Sequence, residues 1–341
     1  MVPMDSLMPP SDPTPEPPKA EPGLPNGKAE GSTGAPEVGQ APVPMATNRA
    51  SFNHLRELLD MIKFEHTVFA LPFAFLGALG AAQGIPPLRT ILWILAAMVG
   101  ARTAAMTFNR LVDTDIDAEN PRTADRALPA GRVSRLGAMA LMGAGIVLFG
   151  VAAGALGPLT WALSPLALVI ILGYSLCKRF TSWAHLALGL ALSGAPLGAW
   201  IAVAGRIEPP ALWLSGGVLA WTAGFDILYA LQDQDYDRSK GLHSVPARLG
   251  TSGALTLSRT FHLLALAAWA MFNLLMGSHL VSWAGWATVA TMLAREQWLV
   301  RGGDLSRIDQ AFFTLNSLVG LVFFLGHALE WWLSRSLLMP I

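Results

Sequence analysis

Asn109-Arg110-Leu111-Val112-Asp113-Thr114-Asp115-Ile116-Asp117 closes one long apolar run of this chain, and Asp226-Ile227-Leu228-Tyr229-Ala230-Leu231-Gln232-Asp233-Gln234-Asp235-Tyr236-Asp237 closes another. A carboxylate carried into a bilayer costs ~2.5–3.5 kcal/mol at mid-membrane on insertion scales, so two acid clusters against hydrocarbon need a compensating charge. Of the 341 residues 53% are hydrophobic and only 13% charged, where a soluble domain carries about a quarter charged. The chain therefore reads as an all-α, polytopic integral membrane protein.

Uninterrupted apolar length locates the spans. Residues 67–88, 90–101, 137–177, 184–205, 209–225, 261–294 and 311–329 contain no Asp, Glu, Lys or Arg. Breaks at Gly157-Pro158 and Gly277-Ser278-His279 divide two of these stretches. The pattern predicts nine helices in a bundle, over 67–84, 90–111, 136–154, 160–177, 185–204, 211–232, 257–276, 281–299 and 310–333. Residues 1–50 hold half of the 24 prolines and no aromatic residue. Such a composition buries too little apolar surface to offset its ordering entropy. A disordered tail over 1–50 and a transmembrane domain over 51–341 are expected, with Met45 as an alternative start. The tail lacks the apolar core of a secretory signal.

Lys63, Arg110, Arg122, Arg126, Lys178, Arg179, Arg238 and Lys240 fall in the connections on one side, whereas Arg89, Arg206 and Arg335 fall on the other. By the positive-inside rule the first side is cytoplasmic. Both acid clusters lie on it, which implies a site open to the cytoplasm in a plasma (bacterial inner) membrane. A zero net charge gives no electrostatic case for a nucleic-acid partner. Cys177 alone excludes an intrachain disulfide and a multi-cysteine metal site.

Asn109, Asp113 and Asp117 are spaced i, i+4, i+8, as are Tyr229, Asp233 and Asp237, with Asp226 on the same face of the second segment. Side chains so spaced share one helix face. Like charges four apart repel, so two acidic stripes make sense around a cation. Oxygen donors favour a hard ion, and Mg²⁺ takes one or two carboxylates together with phosphate oxygens and water. The ligand expected is a Mg²⁺-bound polyanion. Asp115 and Asp235 point off the stripes. Between Asn120 and Ser134, Pro and Gly predict a loop, with Ser134 capping the next helix. Arg122, Arg126 and Arg132 in that loop, and Lys178 beyond Tyr174, are suited to phosphate oxygens.

Taken in order, Asn109-x3-Asp113-x3-Asp117, Pro121-Arg122-Thr123-x2-Arg126-x-Leu128-Pro129-x-Gly131, Tyr174-x3-Lys178-Arg179-x-Thr181 and Asp226-x2-Tyr229-x2-Gln232-Asp233-x3-Asp237-x3-Gly241-x2-Ser244 resemble the UbiA superfamily of intramembrane prenyltransferases. The resemblance spans roughly 51–335. It implies a nine-helix bundle around a central, cytoplasm-facing cavity and Mg²⁺-dependent transfer of a prenyl group from an allylic diphosphate. It also implies that Asn109, Asp113, Asp117, Asp233 and Asp237 hold the metal, that Arg110, Arg122, Arg126, Lys178 and Arg179 meet the diphosphate, and that Asp226, Tyr229 and Tyr174 serve positioning or proton handling. Arg110 stands where many members carry Asp, which leaves the number of ions open. Lys63-Phe64-Glu65-His66-Thr67 and Phe69-Ala70-Leu71-Pro72-Phe73 are most similar to the 4-hydroxybenzoate polyprenyltransferase branch of quinone biosynthesis. Some members of that branch serve menaquinone formation through 1,4-dihydroxy-6-naphthoate. A secondary transporter with carboxylates at its cytoplasmic rim is the rival from another class. Transport favours acids at the bilayer midplane, whereas these sit at helix ends.

Overall fold

A computed structural model of the chain describes Glu57 and residues 67–308 and 314–338. They lie within the unit Ala46–Ile341. The expected tail over 1–50, the alternative start at Met45 and the Lys63–His66 motif lie outside the described residues.

In chain order the helices are α1 Thr67–Ala82, α2 Leu88–Val112, α3 Thr114–Glu119, α4 Arg135–Leu156, α5 Pro158–Cys177 and α6 Ala184–Ala204. They continue as α7 Pro209–Ala230, a 3₁₀ turn at Leu231–Asp233, α8 Gln234–Lys240, α9 Val245–Leu275, α10 Leu280–Leu299 and α11 Asn316–Leu338. No strand occurs among the described residues, so the all-α expectation holds. Nine of these helices, among the described residues, match the nine expected from apolar length. Seven of them are long and apolar enough to cross a membrane: α2, α4, α5, α6, α7 with its continuation, α9 and α11. Of the other two, α1 shows 16 residues among those described. The second, α10, is diluted by Trp283, Trp286, Thr288, Thr291, Arg295 and Glu296.

One boundary differs from expectation by a full three turns. Helix α9 begins at Val245, not near 257, because Ser244 Oγ accepts from the Ala247 N–H and Pro246 occupies the first turn. Those are the residues that start helices. Gly250, at φ 70 and ψ 175, interrupts the helix between this start and the apolar run.

Small residues set the helix spacing around the acids. A Cβ on Gly100 would lie 2.6 Å from the Phe149 backbone nitrogen, and one on Gly145 2.7 Å from that of Ala104, so α2 and α4 meet backbone to backbone. In the same way α6 is drawn onto α7, where a Cβ on Gly189 would approach the Leu219 carbonyl oxygen to 2.4 Å. Helix α7 also packs along α9, while α11 packs on α1 and α10. The core between them is aromatic. Phe73 of α1, Trp221 of α7, Trp269 and Phe272 of α9 and Phe323 of α11 are fully buried and in mutual ring contact. Five such side chains each remove about 150–250 Å² from solvent, which makes this the mechanical centre of the bundle.

Candidate active site

Both acid segments form where a long helix breaks into a short one. Asp113 ends α2 at φ −95, ψ 3 and opens α3. Asp233 ends the 3₁₀ turn after α7 at φ −102, ψ 7 and opens α8. In the first segment the Thr114 hydroxyl bonds the Arg110 and Leu111 carbonyl oxygens, 2.8 and 3.1 Å away, which competes with helix continuation. The expected unbroken helix face is therefore bent. Its spacing survives, since the Asp113 N–H still bonds the Asn109 carbonyl at 3.0 Å and the Asp117 N–H bonds that of Asp113 at 2.7 Å. In α8 the acids Asp235 and Asp237 sit in the first turn and Arg238 and Lys240 in the last, matching the helix dipole. Gly241 closes α8 in the left-handed region at φ 65, where a side chain would be strained.

The loop between Asn120 and Ser134 stitches the segments together. Asn120 Nδ2 donates to Asp233 Oδ1 at 3.4 Å, and Tyr236 donates its hydroxyl to the Ile116 carbonyl at 2.9 Å. Lys240 pairs with Glu119 at 2.5 Å. Buried Thr123 bonds the Asp117 carbonyl at 3.0 Å, which folds the loop back over α3. The two stripes thus meet at one end of the bundle.

Each carboxylate is engaged by a neighbour. Asp113, 3% exposed at its side chain, takes Lys178 Nζ at 2.7 Å, Arg179 at 3.5 Å and Asn109 Nδ2 at 3.1 Å. Arg179 also donates to the Val112 carbonyl. Asp117 receives Arg126 Nη1 on both oxygens at 2.7 Å and has Arg110 at 3.8 Å. Arg110 itself is buried and touches Asn109 Oδ1 at 3.4 Å. Asp233 is gripped by Arg122 through Nε at 3.0 Å and Nη2 at 2.5 Å. The same guanidinium reaches the Tyr229 hydroxyl at 3.4 Å and lies over its ring. Burial works against the Arg122 charge, but the hydrogen bond to Asp233 and that residue's charge outweigh it and raise the Arg122 pKa above its ordinary value. Asp237 is hydrogen-bonded to Ser244 and lies within electrostatic reach of Asp233 and Lys178. Tyr174 lies within the same reach of Arg102, Arg110 and Asp226.

Thirteen of the residues singled out from sequence thus gather in one cluster. Asn109, Tyr174, Asp226, Tyr229, Asp233 and Asp237 are each partly exposed, so the cluster is accessible. Arg132 is not part of it. That side chain turns away to Glu57 at 3.2 Å and Asp125 at 3.0 Å. Asp115, 92% exposed beside Arg135, also stands outside, as expected. A surface recess of about 200 Å³ beside Arg89 and Trp93 lies at the opposite end of α2 from the acids.

Two further residues join the cluster: Arg102, which went unread in the sequence, and His185, whose apolar context there reads as packing. Arg102 lies within α2 and in the field of Tyr174. A charge inside a membrane helix is itself a functional signal. His185, at the start of α6, is buried and joins Nδ1 to Asp226 Oδ2 at 2.7 Å. That pairing spans 41 residues and leaves no local pattern.

Hard oxygen donors fit Mg²⁺, yet among the described residues no three His, Cys, Asp or Glu side chains come together so as to hold an ion alone. The donor set suits an ion completed by phosphate oxygens and water rather than an all-protein cage.

Together these features make a helical membrane bundle with acids and bases interleaved at one end. The UbiA prenyltransferase family model matches residues 70–318, and the chain belongs to that family. It is a prenyltransferase and an integral, multi-pass membrane protein. A 4-hydroxybenzoate octaprenyltransferase from Alkalilimnicola ehrlichii is 31% identical over 73% of this chain and 85% of its own length. The apo structure of a UbiA homolog from Aeropyrum pernix K1 superposes with a TM-score of 0.72 at 35% identity, covering 78% of this chain and 98% of that one. A UbiA homolog from Archaeoglobus fulgidus, bound to DMAPP and Mg²⁺, shares the fold with a TM-score of 0.64 at 19% identity over 80% and 99% of the two chains.

Proposed function

We propose that this enzyme transfers a polyprenyl group from a polyprenyl diphosphate to a hydroxylated aromatic carboxylic acid, 4-hydroxybenzoate, in quinone biosynthesis, with the site facing the cytoplasm. The observation that carries the reading is the interleaving of Asp113, Asp117 and Asp233 with Arg110, Arg122, Arg126, Lys178 and Arg179. Bases paired with acids in this way can exchange those partners for diphosphate oxygens when an ion takes the acids.

In this reading Asn109, Asp113, Asp117, Asp233 and Asp237 hold Mg²⁺, which when bound neutralises charge on the departing diphosphate. Arg122, Arg126, Lys178 and Arg179 bind the phosphate oxygens, and buried Arg110 adds a fixed positive charge behind them. The allylic C–O bond breaks with its electron pair going to the diphosphate. A ring carbon beside the acceptor hydroxyl forms the new C–C bond, and the proton that carbon loses passes to the released diphosphate. Asp226 orients the acceptor by accepting from its hydroxyl, while Tyr229 and Tyr174 flank it. Arg102 meets the carboxylate of the aromatic acid. Apolar walls exclude water, which would otherwise capture the allylic cation.

The helix-opening resemblance at Phe69–Phe73 makes 1,4-dihydroxy-6-naphthoate the second acceptor to test. Membranes containing the protein are incubated with a polyprenyl diphosphate, Mg²⁺ and one acceptor at a time, and products are identified by mass spectrometry. Prenylated 4-hydroxybenzoate is expected. Product from the naphthoate alone reassigns the acceptor. No Mg²⁺-dependent diphosphate release with either overturns the reading.

A further inference from the structure

His185 lies at the junction of three helices. Its own helix, α6, begins one residue earlier. Its Nδ1 reaches Asp226 Oδ2 of α7 at 2.7 Å, and its Nε2 lies 3.3 Å from the backbone nitrogen of Val245, the first residue of α9. The ring is 5% exposed.

The second contact decides what the first one is. A backbone N–H can only donate, so Nε2 must be the acceptor and carries no proton. In the neutral ring the proton then sits on Nδ1 and is donated to the Asp226 carboxylate. Val245 supplies one of the orphan N–H groups that every helix start exposes. Ser244 Oγ serves the Ala247 N–H, and Pro246 has none to offer, so His185 completes the cap of α9 while fixing its own tautomer. The close approach of α6 to α7 at Gly189, one turn further along α6, brings the ring within reach of Asp226. Among the described residues, His185 is the side chain seen to bond that carboxylate. Asp226 keeps a quarter of its side chain exposed, which leaves its other oxygen available to a substrate.

We propose that His185 is the positioning residue of Asp226: held by the Val245 N–H in one tautomer, it donates Nδ1–H to one carboxylate oxygen and so aims the other at the acceptor hydroxyl. The proposal rests on Asp226 orienting the acceptor, as above. A residue acting this way changes how the acceptor is held and leaves the diphosphate end alone. It is also dispensable once Asp226 has lost its function.

The experiment compares Asp226→Asn, His185→Leu, His185→Gln and the double variant Asp226→Asn/His185→Leu, purified in full length and assayed by product formation. His185→Leu is expected to lower kcat/KM for the acceptor ~10²-fold, the scale of a misplaced reacting group. Its KM for the polyprenyl diphosphate stays near that of the parent. His185→Gln, whose amide can both donate to Asp226 and accept from Val245, recovers most of the activity. In the Asp226→Asn background, His185→Leu adds no further loss, because contacting groups that act as one unit are non-additive. Equal losses from His185→Leu in both backgrounds would identify a purely structural cap and overturn the proposal. If Asp226→Asn is impaired while His185→Leu is not, positioning alone fails. A fully active Asp226→Asn removes the reading of Asp226 and the proposal with it.

Discussion

Asp233→Asn separates chemistry from stability more cleanly than any other change at this site. Asp233 and its partner Arg122 are 21% and 35% exposed at their side chains, so water screens their attraction. Pairs of that kind contribute about 0.2–1 kcal/mol. Asn preserves the shape and still accepts a hydrogen bond from Arg122 and Asn120. Folding stability should therefore fall by ~1 kcal/mol at most, a change of a few degrees in Tm. The functional loss should be far larger. If the carboxylate helps hold charge at the diphosphate, its neutralisation removes a preorganised electrostatic contact of the sort whose loss costs about 10²–10³ in rate. The assay measures kcat/KM with a radiolabelled polyprenyl diphosphate across a Mg²⁺ titration, alongside thermal unfolding in the same detergent. The expected result is a drop of ~10³-fold, or ~4 kcal/mol of transition-state stabilisation, with a raised Mg²⁺ requirement. A kcat/KM within roughly threefold of the parent refutes the assignment. So does an activity loss matched by an equal loss of folded protein.

Arg126→Ala should reduce turnover strongly while Arg132→Ala leaves it unchanged, because only the first reaches an acid of the cluster; parallel kinetics on the two variants checks this. Gly189→Ala must push α6 off the Leu219 carbonyl, so a loss of ~1–3 kcal/mol in detergent unfolding is expected. Chelation should abolish turnover and Mg²⁺ restore it. Because the acids are already paired with bases, Mg²⁺ alone should barely move the thermal midpoint, whereas Mg²⁺ with inorganic diphosphate near 100 Kd should add about 2.7 kcal/mol. Asp237→Asn should raise the Mg²⁺ requirement more than Asp117→Asn does, as read from activity against free Mg²⁺.

What the sequence made legible follows from which interactions are local. Uninterrupted apolar length located the helices, seven of them among the described residues long and apolar enough to cross a membrane, because burying an unpaired charge in hydrocarbon is expensive everywhere along a span. The acid stripes were legible because i, i+4 neighbours meet on any helix, and that spacing survived the bend at Asp113. The bend itself depends on Thr114 bonding back to Arg110 and Leu111, a competition that composition does not reveal. The start of α9 was missed although Ser244 and Pro246 announce it, since apolar length outweighed the capping signal. Arg126 and Arg132 look alike in a loop, and only its folding back over α3 separates them. Arg102 could have been found as a charge within a span. His185 could not, because its meaning lies in partners 41 and 60 residues away.

The offset between the segments is the same three times over: 229 − 109, 233 − 113 and 237 − 117 each give 120. Asp113 and Asp233, at the two breaks, also share nearly one backbone conformation. Repetition of backbone has not brought repetition of charge. Asp113 and Asp117 are compensated by direct pairing with Lys178, Arg179, Arg110 and Arg126, while Asp233 takes Arg122 and Asp237 bonds Ser244 and feels Lys178 only at longer range. If the acids hold a cation as proposed, it is drawn more strongly to the second segment, where less positive charge competes for the carboxylates. In the proposed reading an anion is drawn to the first, where Lys178, Arg179 and Arg126 can change partners and Arg110 adds a fixed positive charge. If the site binds Mg²⁺-diphosphate as proposed, that polarity would give it one preferred orientation between two segments of similar shape. In the same reading, buried Arg110 deepens the asymmetry that would orient the substrate.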